Sequence, residues 1–186
     1  ITDMTSYRKL GLHCDGTNGG TTFTDVTGKT VTPNGNVQIS TAQYPSLTGK
    51  TSSAYFDGTG DYLTVPDSAD LELGSNNFTL RAMVRISAYS PSFGGAYYFA
   101  LMSKDEASSR GFNVQVIGTS SSYTTLRFNG FSDNSTFTTV DAAFGFSLNT
   151  WYLIDVVRSG NLIYLFVDGV LLNPGGTSFS RTIQNT

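Results

Sequence analysis

Residues 151–169, WYLIDVVRSGNLIYLFVDG, are the most apolar stretch of the chain, and Ser159-Gly160-Asn161 breaks them in the middle. Trp151 to Val157 and Leu162 to Val167 each have the length of a strand, and the link between them is turn-like, so the stretch predicts a β-hairpin. In the return run Ile163, Leu165 and Val167 share one face, and Leu162, Tyr164 and Phe166 share the other. A strand apolar on both faces belongs in the middle of a sheet, covered on both sides. Asp168-Gly169 follows and suits the positive-φ geometry of a type I′ turn, after which VLL can begin another strand. Asp155 alone resists this reading: it lies mid-strand on the face of Trp151 and Val157, with no turn to account for it.

The rest of the chain repeats the same grammar. FTLRAMVRIS (78–87) puts Phe78, Leu80, Ala82, Val84 and Ile86 on one face and Thr79, Arg81, Met83 and Arg85 on the other, the pattern of a strand with one buried and one wet face. Shorter strand-like runs, bounded by turn residues, are KLGLHC (9–14), NVQIS (36–40), SAYF (53–56), DYLTVP (61–66), YYFALMSK (97–104), GFNVQVIG (111–118), YTTLRFNG (123–130) and STFTTVD (135–141). Helical periodicity is nearly absent, and ADLELGSNN (69–77) has room for one helical turn. Short strands at this spacing predict an all-β sandwich or jelly roll. No linker splits the chain, so residues 1–186 read as a single domain.

Composition narrows the function. Charged residues make up 13 % of the chain, about half the usual ~25 % of a soluble domain. Thr, Ser, Asn and Gly carry the polarity instead. The net charge of -3, with no run of Lys or Arg, removes the electrostatic support that nucleic acid or an anionic membrane would need. No apolar run reaches the ~20 residues that cross a bilayer as a helix. The single cysteine, Cys14, rules out an internal disulfide framework and any multi-cysteine metal site. The chain begins at Ile1 with neither a Met nor a signal-peptide pattern, and so reads as a processed product or a piece of a longer protein.

Three groups of residues carry a family resemblance. Trp151-Tyr152, Val156-Val157-Arg158, Gly160 and Leu165-Phe166-Val167-Asp168-Gly169 form one. AYFDGTGDYLTVPDSADLELGSNNFTLRAMVRI (54–86) forms the second, and LHCDGTNGGTTFTDVTGKTVT (12–32), with its D-x-T-G turn, the third. In order and spacing they resemble the laminin G-like, concanavalin A-like jelly-roll family, across about residues 10 to 172. The resemblance implies a two-sheet antiparallel jelly-roll sandwich. Two departures stand out. The strand resembling F-x-G-x-I-D-E-V that usually closes such domains is not found in SFSRTIQNT at the C-terminus, so it is expected beyond Thr186 or from a partner that adds a strand. The stretch ISAYSPSFGGAYYFALMSK is also longer and more aromatic than the family minimum.

Catalytic readings fare poorly. Glucanases of this superfamily resemble one another in an E-x-D-x-x-E strand that sets two carboxylates across the sugar bond. This chain has two glutamates, Glu72 and Glu106, in unrelated contexts, and FNGFSDNSTF offers only Asp133. His13 and Cys14 are adjacent on an expected strand, so they point to opposite faces and make no dyad. TGKT at 27–30 and 48–51 lacks the preceding glycine and the following helix of a phosphate-binding loop. Calcium favours hard oxygens gathered by loops. The resemblance to the pentraxin branch points to Asp105 and Glu106 as calcium ligands, against a simpler reading as solvated surface acids. Asp57 and Asp61 read as residues that shape the FDGTGDY turn. Asn77 and Asn134 fit glycosylation triplets, which arise often in a chain this rich in Asn and Thr.

Aromatic side chains remain. Tyr89, Phe93, Tyr97 and Tyr98 surround the SPSFGG loop and are the candidate ligand-binding residues, since exposed rings stack on the apolar faces of sugars. The competing reading has Tyr97 and Phe99 begin a core strand while the other rings pack down locally. The sequence therefore predicts a non-catalytic binding or adhesion module for a cell-surface or extracellular glycan. It is placed in a larger extracellular or virion-surface assembly, because its Thr/Asn/Gly-rich style resembles laminin G-like modules of bacteriophage structural and tail proteins. The alternative is a structural decoration or assembly module completed by neighbouring subunits. A glycoside hydrolase is the least favoured.

Overall fold

The computed structural model describes residues 7–46, 49–89, 97–106 and 109–184. The chain divides into two units, Ile1–Leu71 and Glu72–Thr186. No α-helix occurs among the described residues, and the 69–77 stretch contributes one 3-10 turn, Ala69–Leu71.

The first unit is built from two short antiparallel ladders. β1 (Thr32–Asn34) pairs with β4 (Tyr62–Thr64), and β2 (Gln38–Ser40) pairs with β3 (Ser53–Tyr55). Phe23, Val37 and Ile39 are buried together, with Cys14, Val31, Ala54 and Leu63 packed around them. So small an apolar cluster leaves much of the ordering to side-chain-to-backbone hydrogen bonds. Asp61 accepts from the amides of Asn36 (2.7 Å) and Asp57 (2.9 Å), and Asp57 accepts from the Thr59 amide (2.7 Å). Both aspartates thus shape the FDGTGDY turn, as their sequence context predicts. The expected strand over KLGLHC does not form. Its only ladder contact is the bridge between Leu12 and Asp25, and Cys14 takes φ 53°, a left-handed conformation that no strand accommodates.

The second unit is the sandwich. One sheet has the order β12-β11-β10-β5, with β13 also on β11, from β5 (Phe78–Arg85), β10 (Trp151–Ser159), β11 (Leu162–Val167), β12 (Val170–Leu171) and β13 (Thr177–Ser178). The other has the order β6-β7-β8-β9, from β6 (Tyr97–Glu106), β7 (Ser109–Gly118), β8 (Tyr123–Phe131) and β9 (Phe137–Phe146). Val114, Val116, Leu126, Phe128 and Val140 of the four-stranded sheet share one core with Ile154, Val156, Ile163, Leu165 and Val167 of the other. The Phe78 and Phe128 rings meet between the sheets at 5.9 Å. Each sheet therefore has one core face and one outer face, the arrangement that period-two alternation encodes.

The 151–169 hairpin forms as its sequence predicts. β10 runs against β11 from Ile154↔Val167 to Ser159↔Leu162, and β11 lies between β10 on one side and β12 and β13 on the other. Asp168 (φ 52°) and Gly169 (φ 77°) make the positive-φ turn, and Asp168 Oδ1 accepts from the Leu153 amide (2.8 Å). One expectation needs correcting: Leu162, Tyr164 and Phe166 are half-buried, because they face outward from a two-layer sandwich, while Ile163, Leu165 and Val167 fill the core.

Asp155 has a cross-strand partner. It lies directly opposite Arg81 of β5, and its Oδ1 and Oδ2 accept from Arg81 Nε (2.6 Å) and Nη2 (2.9 Å). Arg158, on the inward face with Ile154 and Val156, is 2 % exposed. It donates to the carbonyls of Gly160 (3.0 Å) and Gly74 (2.9 Å) and sits over the Phe179 ring at 5.2 Å. Burial pulls this guanidinium below its ordinary pKa.

The segment after β13 belongs to the core although it is not a strand. Phe179 and Ile183 are each 1 % exposed. The amides of Phe179, Ile183 and Gln184 donate to Asn161, Gly74 and Phe131 at 2.7, 2.9 and 2.6 Å, so the segment is tied to both sheets. Phe179 meets Phe128 edge-on at 5.7 Å and presses against Gly130, where any Cβ would collide with its ring. Gly130→Ala is therefore expected to cost about 1–3 kcal/mol through overpacking, read as a lower denaturation midpoint at unchanged m-value. An unchanged midpoint would show that the ring is not wedged there.

Candidate functional site

On the four-stranded sheet the alternation that buries Phe112, Val114 and Val116 turns Asn113, Gln115 and Ile117 outward. The same parity turns Arg127 and Asn129 of β8, and Thr139 and Asp141 of β9, to that outer face. Register then sets them in rows. Asn113, Asn129 and Thr139 lie side by side, and Gln115, Arg127 and Asp141 form the next row.

The first row is a continuous hydrogen-bonded chain across all four strands. Thr139 Oγ1 donates to Asn129 Oδ1 (2.7 Å), Asn129 Nδ2 to Asn113 Oδ1 (2.8 Å), and Asn113 Nδ2 to Asp105 Oδ2 (2.8 Å). All three bonds run in one direction and end on a carboxylate, so each polarises the next. Arg110 grips Asp105 with Nε (2.7 Å) and Nη2 (3.3 Å) while lying over the Phe131 ring at 4.1 Å. In the second row Arg127 holds Asp141 through Nε (2.7 Å) and Nη2 (2.6 Å). Asn129 is only 6 % exposed, so its rotamer is fixed by the chain. The face is a rigid array of amide, guanidinium and hydroxyl groups. Outward donors remain on it, because the half-buried Asn113 has a second Nδ2–H and the Gln115 amide makes no hydrogen bond within the described residues.

A family model, Laminin_G_3 of the concanavalin A-like lectin/glucanases superfamily, matches residues 57–185, a span that takes in every strand of the sandwich. The chain belongs to that superfamily. No curated protein and no solved structure matches it. Laminin G-like domains are in general carbohydrate-binding or adhesion modules, in a superfamily that also contains glycosidases.

Within this laminin G-like domain the aromatic candidates separate. Tyr89 packs against the core and against the Tyr123 ring at 5.3 Å. Tyr97 has the parity of Phe99, which packs on the core, so it lies on the inward face at the start of β6. Tyr98 points the other way: it lies opposite Ile117, in the row beside Gln115 and Arg127 on the outer face. Phe93 falls outside the described residues.

The acids separate too. Asp105 does not fit calcium, because Arg110 holds both its oxygens where a cation would sit, and Asn113 occupies the second of them as well. Among the described residues no group of three or more His, Cys, Asp or Glu side chains is placed to hold a metal. Glu106 ends β6, and its side chain is outside the described set. Asp133 is an exposed turn residue that accepts from the Ser135 amide and hydroxyl (2.8 Å each) and the Thr136 amide (2.6 Å). Those bonds hold its pKa down at about 2, so it is a poor proton donor for bond cleavage. In the D-x-T-G turn, burial would raise the pKa of Asp25, but bonds from the Thr27 hydroxyl and from the Gly11 (2.6 Å) and Lys29 (2.9 Å) amides hold it at about 2. The Cys14 thiol is pushed up by burial and is unactivated. Sequence reasoning missed the Asp105–Asn113–Asn129–Thr139 chain; the available signal was polar residues alternating with core residues on three successive strands.

Asp25 and Asp133 both have folded pKa values below the unfolded ~3.9, so each contributes stability that is present above that value and lost as pH falls toward the folded pKa of about 2. Thermal melts between pH 6 and pH 2 are expected to show a shallower acid-side loss in Asp25→Asn and Asp133→Asn than in wild type. Parallel curves would contradict the assignment.

Proposed function

We propose that this laminin G-like domain is a non-catalytic carbohydrate-binding module that holds a glycan against the outer face of its four-stranded sheet. The carrying observation is the one-directional hydrogen-bond chain Thr139→Asn129→Asn113→Asp105 beside the Arg127–Asp141 pair. Each hydroxyl of a sugar is both donor and acceptor, and a fixed amide or guanidinium meets it without paying the ordering entropy that a loose surface side chain would. Tyr98, in the neighbouring row, adds a ring on which a pyranose face can stack.

The non-catalytic half of the reading rests on the acids. Asp105 and Asp141 are each occupied by a bidentate arginine, Asp133 is held ionised in a turn, and no E-x-D-x-x-E strand exists. The setting we propose is a larger extracellular or virion-surface assembly whose partner is a cell-surface or extracellular glycan. It is motivated by the Thr/Asn/Gly-rich style of the chain, which resembles that of laminin G-like modules in phage structural proteins.

Titration calorimetry with a panel of neutral and uronic-acid oligosaccharides tests this. Wild type is expected to bind a subset. Tyr98→Ala and Arg127→Ala are each expected to weaken that binding about tenfold, the equivalent of ~1.4 kcal/mol, with no reducing sugar released. Binding that survives both substitutions would remove the face from the account, and reducing-sugar release would overturn its non-catalytic half. Self-association or capture of a neighbouring subunit, without binding to any sugar, would favour the assembly module instead.

A further inference from the structure

The opposite sheet carries a second site, built on a different chemical idea. On its outer face Arg81, Asp155 and Phe166 lie in one cross-strand row, with Thr79 and Val157 in the next. Together with Gly169 they line a shallow, open hollow of about 320 Å³. Gly169 contributes no side chain and leaves the turn end of the hollow open.

The exposures within the ion pair are unequal. The Asp155 side chain is 8 % exposed and that of Arg81 63 %. Asp155 pins Nε and Nη2, so the guanidinium plane is fixed, while Nη1 makes no hydrogen bond to any described residue. Each Asp155 oxygen takes one bond from Arg81 and keeps lone-pair capacity for another donor. The hollow thus presents a rigid donor edge next to an acceptor, with Val157 and Phe166 as apolar surface beside them and the Thr79 hydroxyl at the rim.

Charge decides what such a hollow takes. Asp155 already neutralises Arg81, so an anionic ligand gains little from the arginine and meets the carboxylate. A neutral pair of adjacent hydroxyls has no such conflict: one accepts from Arg81, the other donates to Asp155, and the C–H face of the ring covers Phe166. We infer that this hollow is a second binding site, specific for a vicinal diol of a neutral saccharide. It is separate from the face of the four-stranded sheet and does not depend on that face binding anything. With both sites filled, one domain would engage two sugar units, which raises avidity for a repeating polymer.

The test is an NMR titration of the isotope-labelled protein with methyl glucoside, methyl galactoside and methyl mannoside, with glucuronate and acetate as anionic probes. At least one neutral glycoside is expected to shift the Arg81 Nε–Hε and Phe166 ring signals saturably in the millimolar range. Those shifts are expected to be weakened at least severalfold in Arg81→Lys, which keeps the charge and loses the planar fork, and in Phe166→Leu, which leaves the ion pair intact and serves if Arg81→Lys fails to fold. They are expected to be unchanged in Arg127→Ala on the other sheet, so loss of the first site does not mask the second. No shift with any neutral glycoside at tens of millimolar, shifts with the anions alone, or shifts indifferent to Phe166→Leu would each overturn the inference.

Discussion

A buried carboxylate in the middle of an apolar strand needs charged or hydrogen-bonding partners, and in this domain Arg81 supplies them to Asp155. The pair sits opposite in the β5–β10 register and is joined by two charge-assisted bonds. A slip of one residue would both part the charges and turn every inward side chain of β5 outward. Phe78, Leu80 and Val84 reach the core because that register holds. Removing one partner of a fully buried pair costs about 3–5 kcal/mol, and the exposure of Arg81 brings the figure down here. The pair is therefore better understood as a register pin than as a large store of stability, and its open side shapes the hollow on the outer face.

A second constraint lies on the inward side of the same strand. Arg158 is a buried cation whose partners are two carbonyls and an aromatic ring. Through them it joins the β10–β11 turn, the Gly74 loop and Phe179. Phe179 in turn fits only because residue 130 has no Cβ. The C-terminal segment is thereby fixed by packing and by backbone bonds to both sheets without forming a strand. With the β5–β10 register and the C-terminal segment both fixed, the outer faces can carry polar rows whose positions are set by register rather than by loop conformation.

Much of this was legible in the sequence, for a physical reason: period-two alternation is a local signal. The strands over 78–85, 97–106, 109–118, 123–131 and 151–167, the Asp168-Gly169 turn, and the structural roles of Asp57 and Asp61 all rest on residues a few positions apart. What could not be read depends on register between distant segments. Asp155 and Arg81 are 74 positions apart, and Asn113 and Asn129 are 16 apart. Only the paired sheet reveals that each pair meets. Phe179 and Ile183 escaped because a non-repetitive segment carries no periodicity. The strand expected over 9–14 fails at a backbone conformation that Cys14, a residue without strong turn preference, does not announce. The aromatic loop candidates divided for a similar reason: parity within β6 sends Tyr97 inward and Tyr98 outward, and the sequence alone does not say which face is core.

The central claim is that the outer faces of this superfamily member are sugar-binding surfaces. The most direct measurement is binding of the intact chain to a broad array of immobilised glycans at neutral pH. The account predicts retention on a defined subset rich in neutral sugars, displaced by the same sugars free in solution. A folded protein that is retained by no glycan on the array would contradict it.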